Sequence, residues 1–452
     1  MSRENIFEKK SIQHLIILFS FPTICSLVLE SLSSMIDTAF AGHLGENSSA
    51  ALSAMGILSP ILLLLIAAQL IFGVSTSIVI SKKLGEDNKE AINNTFKVGF
   101  YASFISSALI SLFIFLFQNQ LLHILGASGE VLLLAKSYLN IAIIFNIFSS
   151  VGYMLLNNIR VFGYPKMEII VGVLSTLIHT VFNVIFTFVF DMGIVGIGLS
   201  TLASEIFYFS FAIIFLIKKG LWIKKSTLDF MEFKSILISL VKIGFVQFLM
   251  QSLNSISGLI INKVLIKYGS VSYIGAWSIC SNINMVVLLP LIGLTQGAQS
   301  VIAYFHGKKD KVKEKSVKHK IIKYSLIYSI SITILICLFA GNVAKLFTND
   351  ISLVVLAKPM IRIVLAGFPL LGILYALITF MQVSGDEVSA SKIELIRQIV
   401  LLIPLTILLP LIFSKYNIMN ISPQLAVFFA IPMSTLILVL IYSKKIKMIL
   451  LN

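Results

Sequence analysis

Twelve stretches of mostly apolar residues follow one another along this 452-residue chain, approximately over 14–41, 50–80, 92–117, 131–156, 166–190, 194–217, 235–264, 271–302, 320–340, 354–380, 393–413 and 422–442. A helix needs about 20 apolar residues to cross the hydrocarbon core of a bilayer. Lipid offers no water to backbone N–H and C=O groups, so only helices and closed barrels span it. Runs of this length without two-residue alternation read as helices. The expected fold is therefore an all-α membrane protein of twelve transmembrane helices. The first run begins near Leu15, is too long for the apolar part of a signal peptide, and has no small-residue cleavage site after it. It is expected to remain as the first span.

Composition agrees. Hydrophobic residues make up 58% of the chain and charged ones 12%, against about 45–50% and 25% in soluble domains. That excludes a cytosolic globular enzyme, a disordered chain and a secreted disulfide scaffold. Cys25, Cys280 and Cys337 lie far apart inside apolar runs with no metal-ligand spacing. They read as small apolar side chains.

The net charge of +15 has a topological origin. Lys and Arg number 26 in the N-terminal arm, the even-numbered connections and the tail, and 4 in the odd-numbered connections. By the positive-inside rule both termini face the cytoplasm. The expected location is the cell inner (cytoplasmic) membrane, and the partners are membrane lipid and a small molecule rather than nucleic acid.

The chain also repeats. At an offset of 222 residues, 54–61 (AMGILSPI) lies over 276–283 (AWSICSNI), Gly85 over Gly307, and Val161 and Gly163 over Val383 and Gly385. Each half then carries six helices, and an even number gives both halves the same sense in the membrane. The reading is two six-helix lobes related by a parallel, pseudo-twofold repeat. The N-lobe is 1–217, a cytoplasmic linker 218–234, and the C-lobe 235–452. Such a pair of lobes suggests a transporter with its substrate near the midplane.

Ionisable side chains inside spans are costly, and each needs a reason. Helix 1 has two, Glu30 and Asp37. A separation of seven residues is nearly two turns, so they share a face. Together they can exchange a proton or hold a sodium ion. Pro22 removes a backbone hydrogen bond in the same helix and is a candidate hinge. Helix 5 carries His179, Asn183 and Thr187 along one stripe, and helix 6 carries Ser200, Thr201, Ser204 and Glu205. These line up as a polar pocket in the first lobe. The second lobe is polar but hardly acidic: Gln247, Gln251 and Asn254 in helix 7, Asn282 in helix 8, and Tyr375 in helix 10. Arg397 opens helix 11 and is expected to snorkel to the headgroups. No phosphate-binding loop, nucleophile elbow, zinc signature or dinucleotide fingerprint occurs. The chain is expected to be no enzyme, to need no cofactor, and to draw energy from an ion gradient.

Several strings carry a resemblance. FPTICSLVLESLSSMIDTAFAGHLG (21–45), SKKLGEDNKEA (81–91), FNVIFTFVFDMGIVGIGLSTLAS (182–204), GLTQGAQSVIAYFHGKK (293–309) and SGDEVSASKIELIRQIVLLIPLTILLP (384–410) stand in the order and spacing of the multidrug and toxic compound extrusion (MATE) family. The chain resembles that family along nearly its whole length, and most of all its MepA-type branch. The resemblance implies a secondary active antiporter, working by alternating access, that exports cationic or amphipathic drugs in exchange for H+ or Na+. Asp37 matches the helix 1 aspartate used for coupling, with Asn183 and Thr201 near it. A sodium ion, where used, would sit at Asp37 and Asn183. There are departures. Thr187 stands where many members have an acid, Glu30 where many have glutamine, and Gln251 and Asn254 where another branch has a coupling glutamate.

The expected ion-coupling set is Asp37, Glu30, Asn183, Thr187 and Thr201. The expected substrate-binding set is Gln251, Asn254, Asn282, His179 and Tyr375. The protein is expected to act as a monomer. A flippase for lipid-linked sugars is the alternative, which would want several basic residues in its cavity; Lys358 and Arg362 are the mid-chain candidates.

Overall fold

The structure, a computed structural model, describes residues 6–45, 48–224, 228–268, 271–416 and 421–451. Arg3 and Lys225, counted above among the basic residues, lie outside the described residues. The chain divides into two compact units. One comprises Met1–Ser11, Ile17–Phe248 and Ala303–Lys309, and the other Ile12–Ile16, Leu249–Ile302 and Asp310–Asn452.

The described residues form helices and no strands. The spans are α1 (Ile12–Ala41), α2 (Ser48–Gly85), α3 (Lys89–Ile124), α4 (Gly129–Val161), α5 (Lys166–Val184, continuing as a π-helical turn over Ile185–Val189) and α6 (Gly193–Lys218). The second set is α7 (Phe230–Tyr268), α8 (Val271–Gly307), α9 (Lys311–Leu338), α10 (Ile351–Ala366 and Phe368–Ser384), α11 (Glu387–Leu395, a π-helical stretch over Ile396–Leu402, then Ile403–Tyr416) and α12 (Pro423–Ile441). Among the described residues eleven helices are long and apolar enough to cross a membrane, and the two pieces of α10, bent by 42°, make a twelfth when taken as one span. A side chain at the bend residue Gly367 would meet Pro432 Cα of α12 at 2.7 Å, so glycine lets these helices touch there. The twelve spans expected from sequence are present. Several, such as α3 and α7, run longer than their apolar cores because charged turns extend them.

The repeat is written into the backbone. Asn88 caps α3 by accepting from Ala91 N at 2.9 Å, and Asp310 caps α9 by accepting from Lys313 N at 3.0 Å. Asp87 and Lys309, just before them, both take left-handed φ values of 52° and 60°. Gly163 and Gly385 also turn left-handed. Each closes its helix with the same loop bond, Tyr164 N to Ile159 O at 3.1 Å and Asp386 N to Met381 O at 2.9 Å. All these pairs stand 222 residues apart. At that offset Gly85 and Gly307 meet each other's neighbours: an added Cβ would fall 2.1 Å from Tyr304 O at Gly85, and 2.0 Å from Lys82 O at Gly307. Backbone touches backbone, so neither position accepts a side chain without separating α2 from the end of α8. The N-terminal turn docks on this crossing. Phe7 stacks on Tyr304 with ring centroids 4.3 Å apart, and Glu8 Oε1 accepts from Tyr304 Oη at 2.9 Å and Lys308 Nζ at 2.5 Å.

The interior mixes small residues with large apolar ones such as Leu58, Leu65 and Leu139. Ala41, Ala51, Ala54, Ala135 and Ala142 anchor one core, while Leu109, Phe113 and Leu116 of α3 point outward. That is the arrangement of a bundle in lipid, where close backbone approach replaces the aqueous hydrophobic effect.

Candidate functional site: a carboxylate inside the first lobe

Asp37 is 6% exposed. It sits near the C-terminal end of α1, and groups from three other helices converge on it. His179 Nε2 of α5 lies 2.8 Å from Oδ1. Asn183 Nδ2, one turn on, donates to the same oxygen at 3.0 Å. Thr201 Oγ1 of α6 donates to Oδ2 at 3.4 Å. Tyr138 of α4 lies beside both Asp37 and Thr201. Thr187 donates to Asn183 Oδ1 at 3.2 Å, which turns the amide so that its NH2 faces the carboxylate. Four of the residues expected for coupling thus form one connected cluster, and His179, expected on the substrate side, belongs to it. Tyr138 was missed, because a tyrosine in an apolar helix carries no signal of its own.

The ring's chemistry follows from its donors. His179 Nδ1 is buried without a partner. An N–H there would go unsatisfied, at a cost of about 1–3 kcal/mol. We therefore assign neutral imidazole protonated on Nε2, donating to Asp37. His179, Asn183 and Thr201 then each present a hydrogen to it. No Lys or Arg among the described residues pairs with it.

Local backbone holds the ring together. α5 widens into a π-helical turn at Ile185–Val189, which contains Thr187. Such turns are frequent at functional sites. α6 crosses this turn at Gly196, where a Cβ would meet Phe186 C at 2.7 Å and Thr187 N at 2.8 Å. The glycine therefore sets the distance from Thr187 and Asn183 to Thr201. Gly196→Val is expected to push α6 away and to cut efflux at least about tenfold, the scale of one lost charge-assisted hydrogen bond of roughly 1.5 kcal/mol. Efflux of ethidium from vesicles containing matched amounts of each protein checks it, and wild-type rates would show that the spacing is unimportant.

Glu30 does not join this ring. It lies about 10 Å along the helix from Asp37, at 1.5 Å per residue, and is exposed. Its electrostatic neighbours are Glu205 of α6, Tyr153 of α4 and Tyr208 of α6. Ser149 lies within hydrogen-bond reach of Glu205 and, at 3.1 Å, of Gln69 Oε1. The two helix 1 acids therefore face two different groups of partners. Pro22 is buried and α1 runs unbroken through it. Its neighbour Thr23 is gripped by the buried pair Arg160–Glu168, with the hydroxyl 3.3 Å from Glu168 Oε2.

In the second unit, Gln398 Nε2 donates to Asn254 Oδ1 at 2.5 Å and Ser257 donates to Gln398 Oε1 at 2.7 Å. Tyr375 lies beside Asn254, so the two lie together. Gln251 is half-buried and makes no side-chain bond to this group, and Asn282 is exposed and donates to its own helix at Ser278 O, 3.0 Å. Arg397 does not snorkel. It is 6% exposed and pairs with Glu394 at 3.0 Å. The sequence signal was there, an acid three residues before an arginine in an apolar helix, and the ion pair keeps the guanidinium inside. Lys358 and Arg362 are exposed.

Known proteins agree with this architecture. The MatE family model matches residues 22–185 and 247–408, one stretch in each half. Multidrug export protein MepA of Staphylococcus saprophyticus is 27% identical over 88% of this chain and 87% of its own length. MepA of Staphylococcus haemolyticus is 28% identical over 90% and 89%. Among solved structures, an outward-facing multidrug resistance MATE family transporter of the MOP superfamily superposes with a TM-score of 0.89 at 21% identity, covering 100% of both chains. A MOP superfamily transporter from Pyrococcus furiosus gives 0.87 at 20% identity over 99% of each. With a bundle of eleven to twelve apolar spans, a two-fold repeat, and a family match reaching over both halves, the chain belongs to the MatE family of multidrug efflux transporters.

Proposed function

We propose that this protein is an antiporter of the cytoplasmic membrane that exports cationic or amphipathic compounds in exchange for protons, with Asp37 as the exchanging group. The observation that carries this is a buried carboxylate with three neutral donors and, among the described residues, no Lys or Arg partner. Its missing positive charge must be supplied by something that comes and goes. The donor set favours the proton over sodium. A sodium ion prefers oxygen ligands, whereas His179 and Asn183 present N–H groups to Asp37 and the Asn183 oxygen is committed to Thr187.

In this reading protonation of Asp37 removes the charge that His179, Asn183 and Thr201 point at. The donors then have no anion to hold, and α1 is released from α5 and α6. Glu30, with Glu205 beside it, meets the substrate's positive charge, and Tyr153 and Tyr208 supply rings for cation–π contact. Substrate and proton are thus read at separate points on α1, and bending at Pro22 links them to alternating access of the lobes 1–217 and 235–452. Both termini lie in the cytoplasm and the monomer is the working unit.

The flippase alternative wants unpaired basic groups for an anionic headgroup. Arg160 and Arg397 are both held by glutamates, which favours the drug antiporter. The test is ethidium efflux from proteoliposomes with the pH and sodium gradients imposed separately. Efflux driven by the pH gradient alone is expected. Efflux driven only by sodium would assign the other ion, and efflux driven by neither would overturn antiport.

A further inference from the structure

Three acids are buried among the described residues: Asp37, Glu168 and Glu394. Two of them carry an arginine. Arg160 Nη1 lies 3.1 Å from Glu168 Oε1, and Arg397 Nη2 lies 3.0 Å from Glu394 Oε2. A carboxylate kept out of water needs a compensating positive charge. The chain itself supplies it at Glu168 and Glu394; at Asp37, in the antiport reading, an exchangeable ion does.

Glu394 and Arg397 stand on one face of α11, at the point where the helix widens into its π-helical stretch from Ile396. α5 widens in the same way just beyond His179 and Asn183. Each lobe thus has a π-helical stretch in its fifth helix and a buried carboxylate nearby, but not in equivalent places: the 222-residue offset carries Ile185–Val189 onto 407–411, away from Ile396–Leu402. In the first lobe that carboxylate faces a neutral imidazole; in the second it faces a guanidinium, which does not lose its proton in proteins. Arg397 Nε is buried with no acceptor, so the side chain is not there to complete a hydrogen-bond lattice. Its charge accounts for its place. The next residue, Gln398, turns to α7 and binds Asn254 and Ser257.

Resting on the antiport reading above, we propose that Arg397 is a built-in counter-ion for Glu394. It fills the second lobe's acid permanently, so that this lobe takes no coupling ion and offers substrate only the neutral wall of Asn254, Gln398 and Tyr375. Exchange is then confined to the first lobe. Arg397 is a positioning residue in this scheme and touches no substrate.

The titratable surroundings are few. Glu394 and Arg397 feel each other and Tyr375 of α10. α7 presents neutral Asn254 and Ser257, while its Lys263 and Lys267 are exposed. α12 carries no charged residue over Pro423–Ile441. Removing the guanidinium therefore leaves one new proton-binding group and no other cation to replace it.

The test uses the full chain with Arg397→Gln, Arg397→Lys, and the double variant Glu394→Gln/Arg397→Gln. Proton uptake by the purified proteins, titrated between about pH 9 and about pH 5 where a liberated carboxyl responds, reads the pair without any transport. Arg397→Gln is expected to take up one proton more than wild type, and Arg397→Lys and the double variant the same number as wild type. In proteoliposomes, ethidium efflux by Arg397→Gln should gain a steeper pH dependence or a new dependence on sodium, and the double variant should return to the wild-type slope. A folded Arg397→Gln with wild-type proton uptake and wild-type slope overturns the proposal. If that variant does not fold, the double variant decides: wild-type uptake and slope support the counter-ion, and an altered slope overturns it. Should wild type show no proton-linked efflux, the antiport reading falls while the uptake titration still judges the pair.

Discussion

Asp37→Asn is expected to abolish concentrative efflux while leaving a folded protein. The exchange removes the only charge in the ring and almost no volume, and an amide oxygen can still accept from His179 and Asn183, which lie 2.8 and 3.0 Å from Oδ1 in the wild type. What it cannot do is trade a proton. A one-unit pH difference is worth about 1.4 kcal/mol per proton, so one-for-one exchange concentrates substrate about tenfold. In Asp37→Asn that ratio is expected to fall to one. The measurement is ethidium accumulation at steady state in everted vesicles across an imposed pH step, with thermal unfolding of the purified variant as the control for folding. Gradient-driven accumulation at the wild-type ratio would remove Asp37 from coupling, whatever its hydrogen bonds. His179→Gln separates a second role. Gln keeps a donor near Asp37 but has no ring, so in the present reading it slows exchange without changing the steady-state ratio.

The spans, their number and the repeat were legible in the sequence because each rests on a one-dimensional signal. Apolar length gives a helix, and a fixed offset of 222 gives the repeat, which the structure carries down to the caps at Asn88 and Asp310. The Asp37 ring was legible in part for the same reason. His179, Asn183 and Thr187 lie four residues apart on one stripe, and an acid in an apolar helix must face inward. Tyr138 and Gly196 were not legible. Their roles come from which helix lies across from them, and no spacing within α4 or α6 encodes that. Glu30 illustrates the limit of periodicity. Sharing a face with Asp37 was correct geometry, but a stripe two turns long can meet different neighbours at each end, and here it meets Glu205 and Tyr153 at one and His179 at the other.

The same limit hid a buried ion pair in the first lobe, and it leads to the largest expected stability effect. Arg160 was counted among the basic residues of a connection, where it would be solvated. It is instead 2% exposed, with Nη1 reaching both Glu168 oxygens at 3.1 and 3.2 Å and Nη2 donating to Asn157 Oδ1 at 2.7 Å. Thr23 joins the cluster from α1, one residue past Pro22. Three helices are therefore tied at one buried point, beside Pro22. Glu168→Gln leaves a buried guanidinium without its counter-charge, and such losses amount to about 3–5 kcal/mol. Glu168→Gln is expected to lower the unfolding temperature of the detergent-purified protein markedly, and Arg160→Gln likewise, since it leaves the opposite charge. Arg160→Met/Glu168→Gln removes both charges and should be milder than either single change, because replacing a whole buried pair is often nearly neutral. The exposed pair Lys83–Glu86, 2.7 Å apart, provides the contrast: Glu86→Gln there is expected to cost at most about 1 kcal/mol. The order of these variants is the informative result. Single changes worse than the double identify a charge pair in a dry site; singles no worse than Glu86→Gln would mean that water reaches the cluster and that Arg160 does not fix α1 at Thr23.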